Sequence, residues 1–203
     1  MTSYQALLLS TTTLLLVLLS YFYVDQDVAQ WCHINLTHSD KAVFLFITQF
    51  GESTFYLIGF PLIALFFHYY WKDQTWRNKS FFMFAAVAVS GILADIIKVI
   101  AGRYRPSELF ERGLYGFDFF HIERALTSFP SGHTTTAFAL AAAIAYLWPK
   151  FSLIAWTCAL SVGISRIAIS AHYPSDVLAG GLIGILSVYL ILYYWNKKVK
   201  LAL

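Results

Sequence analysis

Three short stretches of the chain, far apart in sequence, place histidine, aspartate, lysine and arginine at the ends of strongly apolar segments. An ionisable side chain beside hydrocarbon is costly, so such residues indicate a functional site. Two histidines and a carboxylate, together with three cations, are groups suited to phosphoryl transfer. The stretches contain Lys98 with Arg105-Pro106, then Pro130-Ser131-Gly132-His133, then Ser165-Arg166 with His172 and Asp176.

The first stretch offers two cations, Lys98 and Arg105, which are seven residues apart. That spacing is about two helical turns, so we expect both on one helix face, with Pro106 ending the helix. A lysine point charge and a planar guanidinium suit an anion with several oxygens. Snorkelling towards lipid headgroups is the alternative. Asp95, one turn below Lys98, is expected to be buried deeper and to pair with it.

The second stretch precedes an uninterrupted apolar segment that is expected to be helical. Gly132 allows close approach of a ligand, and the free amides of the first turn form an anion site with the positive end of the helix dipole. Ser131 could instead serve only as an N-cap. His133, in the first turn, belongs either to this site or to the membrane interface, where it would bond a loop carbonyl.

The third stretch has Arg166 inside an apolar segment, followed by His172 at its end and Asp176 four residues later. Pro174 fits the first turn of the next helix, which puts Asp176 within reach of His172. A carboxylate bonded to one ring nitrogen fixes the tautomer and leaves the other as a nucleophile or base. The alternative is a capping aspartate beside an incidental histidine. Arg166 needs an anionic partner, for which Asp176 or a ligand is expected.

The composition is that of an integral membrane protein, because 59% of the 203 residues are apolar and only 12% are charged. One transmembrane domain, 1–203, is expected. The net charge of +3 comes from scattered cations, so nucleic acid is not expected as a partner. Cys32 and Cys158 do not form a disulfide framework. The first apolar segment lacks a basic flank and a cleavage site, which favours an uncleaved span.

Six segments fit the length of about 20 helical residues that a membrane span needs. Because lipid offers the backbone no hydrogen-bond partners and the alternation of a β-barrel is missing, the prediction is an all-α bundle of six transmembrane helices. The fourth segment is short and should extend upstream to Ser131. The segments are Ala6 to Val24, Phe55 to Trp71, Phe81 to Ala101, Thr134 to Trp148, Phe151 to Ala171, and Val177 to Trp195.

Six spans bring all three charged stretches to one membrane face, opposite the two termini. Lysine and arginine are equally numerous on the two sides, at seven each, but three on the far side are committed to an anion. Without these three, seven cations on the side of the termini compare with four on the other side. By the positive-inside rule this puts the termini in the cytoplasm and the site outside. Residues 25–52 form either an interfacial helix over the site or a loop packed on the bundle. The connection 102–133 should shape the headgroup pocket.

The three stretches resemble the type 2 phosphatidic acid phosphatase family, which is related to the vanadium haloperoxidases. The match covers about residues 80–195 and has three elements in order. They are Lys, six residues, Arg-Pro; Pro-Ser-Gly-His; and Ser-Arg, five residues, His, three residues, Asp. The matching positions are Lys98, Arg105, Pro106, Pro130, Ser131, Gly132, His133, Ser165, Arg166, His172 and Asp176.

The resemblance implies a role for each of these residues. His172 would attack phosphorus to form a phosphohistidine, oriented by Asp176, while His133 protonates the departing oxygen. The oxygens of the phosphate would be held by Lys98, Arg105, Ser131, Gly132 and Arg166. It also implies a reaction that needs no metal or other cofactor.

The function implied is hydrolysis of a phosphate monoester or diphosphate end group on a lipid. Undecaprenyl diphosphate, phosphatidylglycerol phosphate and phosphatidic acid are the expected substrate types, and the phosphates of lipid A are the alternative. A bacterial inner membrane, with the site facing the periplasm, is the expected location. A vanadate-dependent haloperoxidase and a protein that only binds or transports a lipid phosphate are further alternatives.

Overall fold

The structure, a computed structural model, describes residues 2–198, and the predicted domain extends beyond it to Met1 and residues 199–203. The described chain is a helical bundle, as predicted. Short 3-10 helices cover Gln49–Gly51, Arg124–Leu126 and Pro149–Phe151. The α-helices are α1 (Ser3–Tyr23), α2 (Asp25–Asn35), α3 (His38–Thr48), α4 (Ser53–Tyr69), α5 (Gln74–Ala101), α6 (Pro106–Arg112), α7 (Gly132–Leu147), α8 (Ser152–Ala168) and α9 (Pro174–Lys198).

Five parts of the described chain are long and apolar enough to cross a membrane. They are Ser3–Tyr23, His38–Tyr69, Gln74–Ala101, Pro149–Ala168 and Pro174–Tyr194. The remaining predicted span, the fourth (Thr134 to Trp148), corresponds to α7, which has only 16 residues and therefore a length of about 24 Å. The prediction that this helix extends upstream to Ser131 is nearly correct, since Ser131 is its N-cap.

Helix α7 lies at the centre of the bundle and packs against α5, α8 and α9. The side chains at these contacts are small, and Ala139 and Ala143 of α7 are completely buried. Phe82 of α5 fills the space beside them. Helices in lipid associate through close packing more than through the hydrophobic effect, so small residues favour close contact.

Glycines on α9 let that helix approach the backbone of α7. A Cβ atom added to Gly180 would lie 2.6 Å from the carbonyl oxygen of Ser131, and one added to Gly184 would lie 2.5 Å from that of Thr135. Both distances are far shorter than any van der Waals contact. The two glycines are four residues apart, which is the spacing of small residues on a membrane-helix packing face.

The chain turns sharply after α5 because of Gly102, which ends the helix with φ of +57°. A Cβ atom there would lie 1.6 Å from the carbonyl oxygen of Asp118, so no other residue fits. Arg105 is the N-cap of α6, with Pro106 in its first turn. The prediction that Lys98 and Arg105 share one helix up to Pro106 is therefore wrong, because the left-handed glycine ends the helix earlier.

Residues 25–52 are helical, as one of the two alternatives proposed, but they form two helices, α2 and α3, instead of one. The 3-10 turn Gln49–Gly51 follows α3 and packs against the first turn of α7. A Cβ atom on Gly51 would lie 2.9 Å from both the Cβ and the carbonyl oxygen of His133. This segment therefore lies directly against the second charged stretch.

We predict that Gly184→Ala lowers the thermal stability of the purified protein in detergent. The added methyl group would collide with the backbone of α7, and overpacking of this kind costs about 1–3 kcal/mol. Gly59→Ala is the matched control, because a Cβ atom there meets nothing within 4 Å. Alanine favours helix over glycine by up to about 1 kcal/mol, so the control should keep or raise the melting temperature. Equal behaviour of the two variants would contradict close packing of α9 on α7.

Candidate active site

The three charged stretches meet where loops join α5 to α6, α6 to α7, and α8 to α9. The position of a Cβ atom on Gly132 lies 3.0 Å from Nζ of Lys98, so the first two stretches touch. The amide of Ser131 donates to the carbonyl oxygen of Asp176 over 3.1 Å. Arg105 donates to the carbonyl oxygen of Ala171, beside His172, over 3.4 Å. All eight predicted site residues therefore lie around one region.

His172 is held by a backbone carbonyl that the sequence did not predict. Its Nδ1 lies 2.8 Å from the carbonyl oxygen of Ser128 and 3.5 Å from Oδ2 of Asp176. The hydroxyl of Ser128 donates to the same Oδ2 over 2.6 Å. Ser128 thus bridges the two residues, and the aspartate acts on the imidazole in part through it. With Nδ1–H donated to this carbonyl, Nε2 keeps its lone pair.

The surroundings of His172 keep its imidazole neutral. The side chain is only 3% exposed. Burial lowers the pKa of His172 from its ordinary 6.5 to about 4, and Asp176 opposes this shift only in part. A neutral imidazole with a free Nε2 is a nucleophile at neutral pH.

Asp176 pairs with Arg103 and not with Arg166, which leaves a ligand, the second of the two expected alternatives, as the partner of Arg166. The Arg103 side chain is fully buried and donates to the carboxylates of Asp176 and Asp25, with Nη2 to Oδ2 of Asp25 measuring 2.6 Å. Burial by itself would lower the pKa of Arg103, but the two carboxylates outweigh it and raise that pKa. Two buried carboxylates thus share one buried cation.

Aromatic rings surround the Arg103 guanidinium. Its central carbon lies 4.6 Å from the ring centre of Tyr173, and the hydroxyl of Tyr115 is 3.1 Å from Nη2. Guanidinium groups over ring faces gain cation–π energy, which is larger where water is excluded. The other rings within about 6 Å belong to Tyr21, Tyr115, Phe117 and Phe129.

Arg166 contacts the last residue of α3. Its Nη1 donates to Oγ1 of Thr48 over 2.9 Å. Its Nε is buried and, within residues 2–198, has no hydrogen-bond partner. Thr48 is a neutral acceptor, so the positive charge of Arg166 is not paired with the aspartate that the sequence suggested. An anionic ligand remains the partner that would satisfy it.

Arg105 also donates to uncharged oxygens. Its Nε bonds the carbonyl of Arg124 over 2.7 Å, and Nη2 bonds that of Thr127 over 3.3 Å. Burial and the neighbouring charge of Arg124 lower the pKa of Arg105. Cations that disfavour one another in a confined space favour the binding of an anion. Arg124, on an exposed turn beside Arg105, was not among the predicted site residues.

Lys98 forms the predicted ion pair with Asp95, with 3.0 Å between Nζ and Oδ1. The expectation that Asp95 is buried is wrong, because its side chain is 75% exposed and that of Lys98 is 20% exposed. Asp95 points out of the bundle from the last turns of α5. The pair is therefore a surface contact, from which a stronger anion could attract the lysine.

The second stretch forms the N-terminus of α7. Ser131 is the N-cap by position but makes no side-chain cap bond, so the interpretation of Ser131 as only a cap is not supported. Its buried hydroxyl accepts from Thr134 over 2.9 Å. The first amides of the helix, including that of Gly132, lack acceptors within the helix. Nε2 of His133 lies 3.6 Å from Oε2 of Glu52, another residue that the sequence did not indicate.

This geometry is suited to transfer of a phosphoryl group. A neutral imidazole, a second imidazole at a helix start, and two arginines without carboxylate partners surround one region, and the free amides of α7 point towards it. Among residues 2–198 no group of three or more histidine, cysteine or acidic side chains could hold a metal ion. The side-chain cations described above can stabilise the charge that builds on phosphate oxygens.

Comparison with known proteins finds one matching family model and several similar proteins. The family model described as "PAP2 superfamily" matches residues 79–200. A lipid A 1-phosphatase of Rhizobium johnstonii is 37% identical over 146 residues, which cover 66% of this chain and 59% of that protein. This chain thus spans less than two thirds of that relative. The bacitracin transport permease protein BcrC of Bacillus licheniformis is 31% identical over 155 residues, covering 72% of this chain and 68% of that protein.

A solved structure shows the same fold over almost the whole chain. It is the crystal structure of a transmembrane PAP2-type phosphatidylglycerolphosphate phosphatase from Bacillus subtilis, with a TM-score of 0.68. The match covers 97% of this chain and 98% of that one at 23% identity. At this identity the likeness establishes the fold alone.

We predict that Arg103→Leu strongly destabilises the protein, because it leaves Asp25 and Asp176 buried without a cation. Loss of one partner from a buried ion pair costs about 3–5 kcal/mol. Arg103→Lys keeps the charge but loses the planar fork, so its melting temperature in detergent should lie between those of Arg103→Leu and the wild type. Arg112→Leu is the control, since Arg112 is 68% exposed in its pair with Glu108. A normal melting temperature for Arg103→Leu would contradict this role.

Proposed function

The chain belongs to the PAP2 superfamily, and we propose that it is a membrane lipid phosphatase that works through a phosphohistidine on His172. The observation that carries the proposal is the state of the His172 ring. Its Nδ1 is bonded to the Ser128 carbonyl, and burial holds the ring neutral. Nε2 is therefore a prepared nucleophile beside a group of cations.

In the first step, Nε2 of His172 forms a bond to phosphorus, and the bond from phosphorus to the lipid oxygen breaks. The electron pair of that bond goes to the departing oxygen, to which His133 gives a proton. Lys98, Arg105 and Arg166 stabilise the charge on the phosphate oxygens. The amides at the start of α7, with Ser131 and Gly132 among them, are proposed to bind the same oxygens.

In the second step, a water molecule attacks the phosphohistidine from the side that the lipid oxygen left. His133, now neutral, takes a proton from that water, and the phosphorus–nitrogen bond breaks. Inorganic phosphate leaves and His172 is neutral again. Asp176 holds the imidazole throughout, both directly and through Ser128, and it balances the positive charge of the ring in the intermediate.

The proposed substrate is a lipid whose phosphate monoester or diphosphate end group reaches the site while its tail stays in the bilayer. Relatives carry names that refer to lipid A phosphate and to phosphatidylglycerophosphate, and these define the panel to be assayed together with undecaprenyl diphosphate and phosphatidic acid. The distribution of lysine and arginine supports cytoplasmic termini and a site on the outer face of a bacterial inner membrane.

The direct test is phosphate release from this panel by purified wild type and His172→Ala. We expect the variant to lose activity by more than about 10³-fold, because the nucleophile is gone. A rapid quench in base, in which a phosphohistidine is stable although it is labile in acid, should leave labelled phosphate on the wild type and none on the variant. His38→Ala, an exposed histidine on α3, is the control. Retained activity in His172→Ala would show that another group attacks phosphorus.

The pH dependence of kcat/KM tests the state of His172 in the free enzyme. Protonation removes the Nε2 lone pair, so the rate should fall on the acid side near the lowered pKa of about 4, and not near 6.5. The unfolded chain binds this proton more readily than the folded one, so stability also falls as pH drops from 6.5 towards 4. Melting temperatures at each pH separate the two effects.

Two lipid phosphates whose second ionisation constants differ show whether the acid limb of the pH profile belongs to the enzyme or to the substrate. A limb that shifts with the substrate is assigned to the substrate. An acid limb that stays near pH 6.5 with both substrates would contradict a buried, neutral His172.

A further inference from the structure

The end of α3 and the segment that joins it to α4 form one wall of the site. Thr48 accepts a hydrogen bond from Arg166, and Gly51 packs so tightly on His133 that a Cβ atom would lie 2.9 Å from its carbonyl oxygen. Glu52 comes next and puts Oε2 3.6 Å from Nε2 of His133. These three contacts join the end of α3 and the following segment to Arg166 and His133.

Glu52 has one oxygen committed to structure and one that faces the site. Oε1 accepts from the hydroxyl of Thr54 over 2.9 Å and from its amide over 3.4 Å, and so caps α4. Oε2 is the atom near His133. The Glu52 side chain is 41% exposed and that of His133 is 29% exposed. The pair therefore lies at the mouth of the site, and His172 lies at its buried end.

The other charges that act on His133 are all positive. Burial lowers the pKa of His133, and the charges of Arg166, Lys98 and Arg105 lower it further, so Glu52 offsets only part of the shift. A proton donor for the leaving group has to hold its proton beside three cations. The Glu52 carboxylate favours that proton, and at 3.6 Å, beyond hydrogen-bond distance, it leaves Nε2 available to the departing oxygen.

We propose that Glu52 is a positioning residue for His133 and that it adapts this site to phosphate monoesters of lipid alcohols in preference to lipid diphosphates. The inference rests on the proposed function. When the bond from phosphorus to oxygen breaks, its electrons go to the lipid oxygen and the proton comes from Nε2 of His133. An alcohol is a poor leaving group and needs that proton, so it depends on Glu52.

A diphosphate behaves differently at the same place. Its leaving group is a lipid monophosphate, which is stable as an anion and needs little help from a proton donor. That anion would also depart past the carboxylate of Glu52, and like charges repel. Removing the charge of Glu52 should therefore harm the monoester reaction and spare or improve the diphosphate reaction.

The experiment compares wild type, Glu52→Gln and Asp73→Asn in detergent, with phosphate release from dodecyl phosphate, dodecyl diphosphate and 4-nitrophenyl phosphate. Glutamine keeps an oxygen that can accept from Thr54, so the cap of α4 is retained. Asp73 is the matched control, because its Oδ1 caps α5 at the end away from Lys98 and asparagine keeps that oxygen. 4-Nitrophenolate leaves without a proton, so that substrate reports every step except protonation of the leaving group.

For Glu52→Gln we expect kcat with dodecyl phosphate to fall by at least about 10-fold, as for weakened acid catalysis. With 4-nitrophenyl phosphate and the diphosphate, kcat should stay within about 3-fold, well below the effect of a lost acid. His133→Asn should slow all three substrates, because hydrolysis of the phosphohistidine also needs His133, and Asp73→Asn should match the wild type.

An equal loss with all three substrates, or no loss with any of them, would overturn this role of Glu52 while leaving the proposed function intact. A wild type that releases phosphate from none of them, nor from the lipid panel, would overturn the proposed function and this inference with it.

Discussion

The buried cation of Arg103 is the interaction on which the rest of the site depends. Its guanidinium joins Asp25, at the start of α2, to Asp176, near the start of α9, so it connects parts of the chain 151 residues apart. A charge removed from water is tolerated only if it is paired and hydrogen-bonded. Removing this cation would leave both aspartates buried without a partner and would destabilise the fold. The position of Asp176, and through Ser128 that of His172, is therefore tied to the N-terminal helices.

The same pairing leaves the other arginines available to a ligand. Because Arg103 neutralises the carboxylate of Asp176, Arg105 and Arg166 donate to carbonyl and hydroxyl oxygens that carry no charge. A site in which Asp176 paired with Arg166 would have met a phosphate with one cation fewer. The charge of Arg103 is thus buried and paired with carboxylates, whereas Arg105 and Arg166 are bonded to neutral oxygens. Only these two arginines can gain by binding an anion.

The sequence predicted the long apolar helices and indicated eight residues that the structure brings around one region, because their signals are local: apolar runs of spanning length, and motifs with fixed spacing. It missed residues whose importance comes from contacts between distant elements. Arg103 lies outside the three motifs, although Gly102 before it is a recognisable helix end. Glu52 and Ser128 reach the histidines from loops whose course no spacing reveals. Nearness in sequence made Asp176 one of the two expected partners of Arg166, but in the structure Asp176 pairs with Arg103.

The packing of the bundle and the chemistry of the site are one constraint. Gly180 brings α9 against the Ser131 carbonyl, and the Ser131 amide bonds the carbonyl of Asp176, so the contact that lets two helices associate in lipid also joins the loops that carry His133 and His172. In the proposed mechanism these histidines act on opposite sides of one phosphorus atom, where an error of about 1 Å in their separation would be costly. A tight helix contact at this point is consistent with that mechanism, and it excludes bulky side chains from α9 beside the site.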